Sequence, residues 1–274
     1  MDGETPAPGA PASVVRTRED GGTFPNVGDL VQESLTEFTD SIVPYILSFL
    51  GLIAGYLVVG VGMSIVWGLL TIVVVVLVSA LGALVEGLGS VGVTLVGLLT
   101  VGVNLALLGL GLVGGMALVA PLTGSYFRAV AAHQRGEGEL ELASAFSTLS
   151  ENAVQMAGMG AILGAATFVG GLFCLLPALA VPVFLGFAIP IVALHGLPVA
   201  DAARLNVTHV RDHLQEHLPI ALSILGLNLI GGVIPVVGPA FTTAYTVRAY
   251  RKIFGDGEAP QVGLLTDGQM DPAS

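Results

Sequence analysis

His209, His213 and His217 recur at every fourth position of one polar segment, with Asp212 and Glu216 beside them. On a single helix that spacing stacks the three imidazoles on one face. Adjacent members of such a row can share a zinc ion, and a histidine pair can also act as a pH sensor. The first and last would stand about 12 Å apart along the axis at 1.5 Å rise per residue, which strains a three-histidine metal site on one helix. The plainer reading, an interfacial amphipathic helix whose polar face uses histidine, is preferred. The expected metal set is therefore none.

Other chemistry-bearing patterns are weaker. Gly109-Leu-Gly-Leu-Val-Gly114 matches the dinucleotide fingerprint letter for letter. That chemistry needs the loop between a strand and a helix N-terminus. Here it lies in an apolar run, where glycine instead lets helices approach closely. Gly51/Gly55, Gly111/Gly115 and Gly160/Gly164 share the same small-xxx-small spacing. Asn104 and Asn228 are the polar residues inside otherwise apolar segments, and hydrogen bonding between helices is their expected role. Glu86, beside Gly87, reads as a turn residue. Cys174 is the only cysteine, so the chain can form no internal disulfide. Asn206-Val-Thr208 is a formal glycosylation sequon on the expected cytoplasmic side. No Gly-x-Ser-x-Gly, His-Glu-x-x-His or phosphate-loop pattern occurs, so no catalytic residue, no cofactor and no enzymatic activity are expected.

The elements that would position these residues belong to a bilayer. Of 274 residues 54% are hydrophobic and 11% charged, with 38 glycines and a mean hydropathy of +0.87. Soluble domains carry about 25% charged residues, so a water-soluble globule is excluded. The net charge of -11 is uneven: residues 1–40 hold -6, residues 253–274 hold -4, and the long body between is almost neutral. Residues 1–28 and 255–274 read as disordered acidic tails. The acidic tails, with eight arginines and one lysine, suit a halophile-like, high-salt cytoplasm. A basic stripe is missing, which argues against nucleic acid as a partner.

The fold class expected is all-α, a polytopic transmembrane bundle over residues 29–254. Residues 29–40 form an amphipathic lead-in, with Leu30, Val31, Leu35 and Phe38 near one face. Apolar blocks follow at 41–121, 153–194 and 219–247, separated by polar segments at 122–152 and 195–218 that read as cytoplasmic helices near 122–152 and 196–218. All nine Arg and Lys lie in the N-terminal tail, the two polar segments and the C-terminal end. The positive-inside rule puts these on one side and requires an even number of passes per block. Six passes are expected, within a range of five to seven, with 66–99 as an apolar insertion around Glu86. The seven-pass alternative divides the first block near 42–62, 63–85 and 92–121. The last block splits at Gly-Gly-Val-Ile-Pro into spans near 214–233 and 236–254.

An internal repeat fits the even count. Pro44-Tyr-Ile-Leu-Ser-Phe-Leu-Gly-Leu52 and Pro219-Ile-Ala-Leu-Ser-Ile-Leu-Gly-Leu227 agree at six of nine positions. Pro121 leads to Tyr126 and Arg128-Ala129, and Pro239 leads to Tyr245 and Arg248-Ala249. A duplicated helical hairpin in one orientation would explain both, as would chance in low-complexity apolar sequence.

Residues 121–254 also carry Pro121-Leu-Thr-Gly-Ser-Tyr126, Arg135-Gly-Glu137, Cys174-Leu-Leu-Pro177, Ala188-Ile-Pro190 and Gly196-Leu-Pro-Val-Ala-Asp-Ala202. With the closing Gly-Gly-Val-Ile-Pro turn they resemble a group of uncharacterised prokaryotic membrane proteins. That group includes the membrane domain fused to some glycerophosphoryl diester phosphodiesterases. His195 and Asn206 stand where the group often has an acid and a serine. The resemblance implies a membrane fold and no reaction. The expected role is a non-enzymatic structural or interaction scaffold in the cell membrane, multi-pass, with both tails cytoplasmic. Its partners would be the lipid bilayer, a protein at the cytoplasmic helices, and further copies of the chain in a homo-oligomer. The alternatives are a small-solute permease, with Asn104, Asn228 and Pro235 near the pathway, and a metal- or pH-responsive sensor.

Overall fold

In the computed structural model, residues 24–85, 89–173 and 175–255 are described. The tails up to residue 23 and from 256, together with Glu86 and Cys174, lie outside them. Every regular element among the described residues is helical: α1 Val27–Asp40, α2 Ile42–Val85, α3 Gly89–Gln134, a 3₁₀ helix Leu142–Phe146, α4 Ala153–Leu172, α5 Leu175–Leu185, α6 Ala188–His195, α7 Val199–Asp212, α8 Leu214–Gly231 and α9 Val237–Phe254. Three of them, α2, α3 and α4, are long and apolar enough to cross a membrane.

The first apolar block is two helices. α2 has 44 residues and α3 has 46, so their arms run about 66 and 69 Å. No turn interrupts α2 near residue 62, so the three-segment division of this block does not occur. Pro121 sits inside α3 without ending it. The buried residues of α2 stop at Gly55, and those of α3, apart from Gly92, begin at Leu107. Between these limits the hairpin stands clear of the body. Leu57, Leu69, Leu77, Leu84, Val93 and Leu98 are all more than half exposed.

α4 lies along α3, and glycine decides how closely. A Cβ on Gly160 would fall 2.3 Å from the Met116 carbonyl oxygen, and one on Gly164 would fall 2.8 Å from that of Leu112. Gly109 receives the Phe168 ring, Gly111 receives Trp67, and Gly51 meets the Leu142 carbonyl. Gly115 faces open space. The expected small-xxx-small packing thus operates at Gly160/Gly164 and at Gly51/Gly55, and at one member only of Gly111/Gly115.

The rest of the second block is broken. α5 and α6 are separated at Gly186-Phe187, so the stretch expected as one pass is two short helices of 11 and 8 residues. The 122–152 segment is likewise not one helix. It comprises the end of α3, a turn at 135–141, and the 3₁₀ helix.

The buried interior gathers around α9. One cluster joins Leu30, Met156, Met159, Ile191, Tyr245 and Tyr250; the other joins Phe38, Tyr45, Phe49, Tyr126, Val130 and Val247. α9 supplies residues to both, and Tyr245 and Tyr250 are fully buried. α1 docks on this helix through Leu30 and Phe38, while Leu35 remains half exposed.

Two places have matching geometry. α1 and α7 are each 14 residues, and each hands over to an apolar helix through one kinked residue. Ser41 has φ -127° and ψ 31°; His213 has φ -125° and ψ 36°. Tyr126 and Tyr245, the aromatic residues before the two Arg-Ala pairs, are both fully buried.

Candidate functional site

The three histidines do not share one helix. The kink at His213 ends α7 and starts α8, which reorients the row. The rings nevertheless gather: His209 lies 5.1 Å from His213 and 5.9 Å from His217 between centroids. Phe24 and Phe254 close the cluster, with the Phe254 ring 4.6 Å from His209. Neither nitrogen of His209 has a hydrogen-bond partner in this aromatic box. Burial, assisted by repulsion from His213 and His217, lowers its pKa to about 4. It is therefore a neutral imidazole at physiological pH. Among the described residues no three His, Cys, Asp or Glu side chains are placed to share a metal ion.

His217 turns the other way. It is 1% exposed and packs edge-on against Phe187. Its Nε2 lies 3.1 Å from the Val183 carbonyl oxygen. A carbonyl only accepts, so Nε2 carries the proton and Nδ1 is a lone-pair acceptor, buried and without a partner.

That imidazole lines a cavity of about 250 Å³ between α3, α5, α8 and α9. Asn228, Thr242, Thr243 and Thr246 supply the remaining polar lining. From His217 to Asn228 is 11 residues of α8, a rise of about 16 Å. The His217 end is buried and Asn228 is exposed at the other end. Each threonine hydroxyl donates to a carbonyl four residues earlier: Thr242 to Gly238 at 2.9 Å, Thr243 to Pro239 at 3.0 Å and Thr246 to Thr242 at 2.7 Å. Their oxygens keep lone pairs free. The Asn228 amide donates to Ile224 at 3.0 Å.

Asn104 donates to Thr100 within its own helix, at 2.8 Å, and stands exposed on the bare hairpin. Among the described residues neither asparagine bridges two helices, contrary to the expected role. Pro235 lies exposed in the α8–α9 turn and does not line the cavity.

The cations gather at one pole. Arg128, nearly buried, donates to the Ala193 carbonyl at 2.5 Å, to the Thr148 carbonyl at 3.2 Å and to Glu151 at 3.1 Å. It ties α3 to α6 and to the segment before α4. Arg248 pairs with both Glu33 and Glu37 of α1, and Lys252 reaches Glu33 at 2.5 Å. These contacts hold the Glu33 carboxyl below its ordinary range, the Lys252 hydrogen bond contributing most.

Sequence reasoning singled out Asn228 and His217 but not the threonines. The run Thr242-Thr-Ala-Tyr-Thr246 in a nominally spanning segment was the available signal. Comparison of the chain with family models, with curated proteins and with solved structures returns no match.

Proposed function

We propose that this is an integral membrane protein acting as a non-enzymatic interaction scaffold, with the α2–α3 hairpin as its interaction element. One observation carries the reading: between Gly55 and Leu107 the hairpin stands clear of the body, with apolar side chains exposed along about 45 Å of α2 and about 27 Å of α3. A hydrocarbon core is about 30 Å thick, and the bare arm of α2 still spans roughly 34 Å at a tilt of about 40°. The far end of that arm, with no helix of its own body beside it, is the surface we assign to a partner. The resemblance of residues 121–254 to the membrane domain fused to some phosphodiesterases supports the membrane setting.

Six passes follow if α2, α3, α4, the α5–α6 pair, α8 and α9 each cross once. α4, α8 and α9 are 20, 18 and 18 residues long, about 27–30 Å. The cationic pole then faces the cytoplasm together with both tails. The matching kinks at Ser41 and His213 support a duplicated unit of lead-in helix plus hairpin.

A photo-crosslinking amino acid at Leu57, Leu77 or Leu84 in native membranes tests the scaffold. Leu77 and Leu84 should give protein adducts, whose mass separates a second copy from another partner. Lipid adducts alone at all three positions would refute it. The cavity beside His217 favours a second reading, a small-solute permease.

A further inference from the structure

We propose that the cavity between α3, α5, α8 and α9 is a binding site for a small, uncharged, linear polyol, held by Asn228 and the threonines of α9. The inference concerns binding and stands whether or not the protein transports the solute.

The lining settles the ligand's charge first. Among the described residues neither a lysine or arginine nor an aspartate or glutamate lines the cavity. An ion entering it would lose hydration without a counter-charge, a cost of several kcal/mol in a site walled by Phe127, Phe187 and Ile224. His217 adds no charge, because a second ring proton would be buried without an acceptor.

The hydrogen-bond inventory settles the rest. Three threonine oxygens have already given their protons to backbone carbonyls. The Asn228 carboxamide retains its oxygen and one N–H, while the unpartnered Nδ1 of His217 lies buried behind the wall. The wall is therefore rich in acceptors and poor in donors. A complementary molecule brings several donors of its own without charge. The hydroxyls of a polyol do so in series, and its C–H edges can pack on the two phenylalanine rings. The volume, about 250 Å³, falls below the ~300–1,000 Å³ of sites for drug-sized ligands and corresponds to roughly eight water volumes. The lining residues of α8 run from His217 to Asn228, a rise of about 16 Å, which suits a chain rather than a ring.

Saturation-transfer NMR on the full chain in lipid nanodiscs, with erythritol as the probe, tests the site. Erythritol should give a saturable signal, and acetate and methylammonium none. Asn228→Leu should weaken erythritol binding about tenfold and Thr243→Val about three- to tenfold, one hydrogen bond being lost in each. Ala221→Phe, which fills the cavity, should abolish the signal. Thermal unfolding followed by near-UV circular dichroism of the buried Tyr126, Tyr245 and Tyr250 identifies any variant that fails to fold, and the near-isosteric Thr243→Val keeps the test decisive in that case. No erythritol signal from the wild type, or a signal unchanged in folded Thr243→Val and Ala221→Phe, would overturn the proposal. Equal signals from acetate or methylammonium would do the same. Erythritol efflux from proteoliposomes is measured alongside: binding without efflux keeps the site and removes the permease reading.

Discussion

Gly160→Ala is the sharpest test of how α3 and α4 are held together. The added methyl would lie 2.3 Å from the Met116 carbonyl oxygen and 2.7 Å from the Ala120 Cβ. Ordinary contact begins near 3.4 Å, and a backbone oxygen in a helix cannot rotate away. The two helices must then separate locally by about 1 Å. Overpacking of this kind costs ~1–3 kcal/mol, and a clash with backbone belongs at the upper end. Alanine also recovers about 1 kcal/mol of helix propensity, so the net loss is roughly 1–2 kcal/mol. Gly171→Ala on the same helix meets nothing within 4 Å and takes only the propensity gain. The difference between the two variants, about 2–3 kcal/mol, isolates the close approach. Reversible unfolding in mixed micelles, titrated with a denaturing detergent, measures it for both proteins. Equal stabilities for Gly160→Ala and Gly171→Ala would refute the packing argument.

Three further outcomes follow from the geometry. The folded-state pKa of His209 is depressed from 6.5 to about 4, so the unfolded chain takes up its proton first on acidification. Stability should fall as pH drops from 6.5 towards 4, by as much as about 3 kcal/mol, and His209→Phe should remove most of that slope in pH-resolved unfolding. Glu33 is also shifted downward, which for an acid favours the charged form: its contribution is present above the ordinary carboxylate range and lost as pH falls through its lowered value. Glu33 is largely open to solvent, so Arg248→Gln, which leaves Glu33 and Glu37 without their shared guanidinium, should register mainly as faster amide exchange along α1. Reporter fusions after residues 40, 140, 205 and 260 should face the cytoplasm and one after 90 should not; residue 40 outside would overturn the even pass count.

Much of the organisation was legible in the residues alone. The apolar blocks, the lead-in at 29–40 and the division of the last block near Gly231-Gly232 follow from composition and periodicity, and α8 and α9 fall within a few residues of the expected spans. The kink at His213 was not legible, because a fourfold histidine spacing continues one helix unless tertiary contacts bend it. Nor was the break at Gly186-Phe187, where Pro182 and Pro190 signalled irregularity without locating it.

The α9 helix shows why the remainder required three dimensions. Its threonines and tyrosines read as a polar ending to a span, yet Thr242, Tyr245, Thr246 and Tyr250 are buried at the centre of the body. Periodicity reports which face of a helix avoids water, and it is silent about which other helix that face meets. The sequence by itself determined that the chain is helical, apolar in its body and charged at its ends, because those properties are local sums over residues. Only the tertiary structure decided that Glu33 and Glu37 meet Arg248, more than 200 positions away, and that His217, Asn228 and three threonines line one cavity. Such meetings depend on how whole helices cross, and that is set where glycine lets two backbones touch.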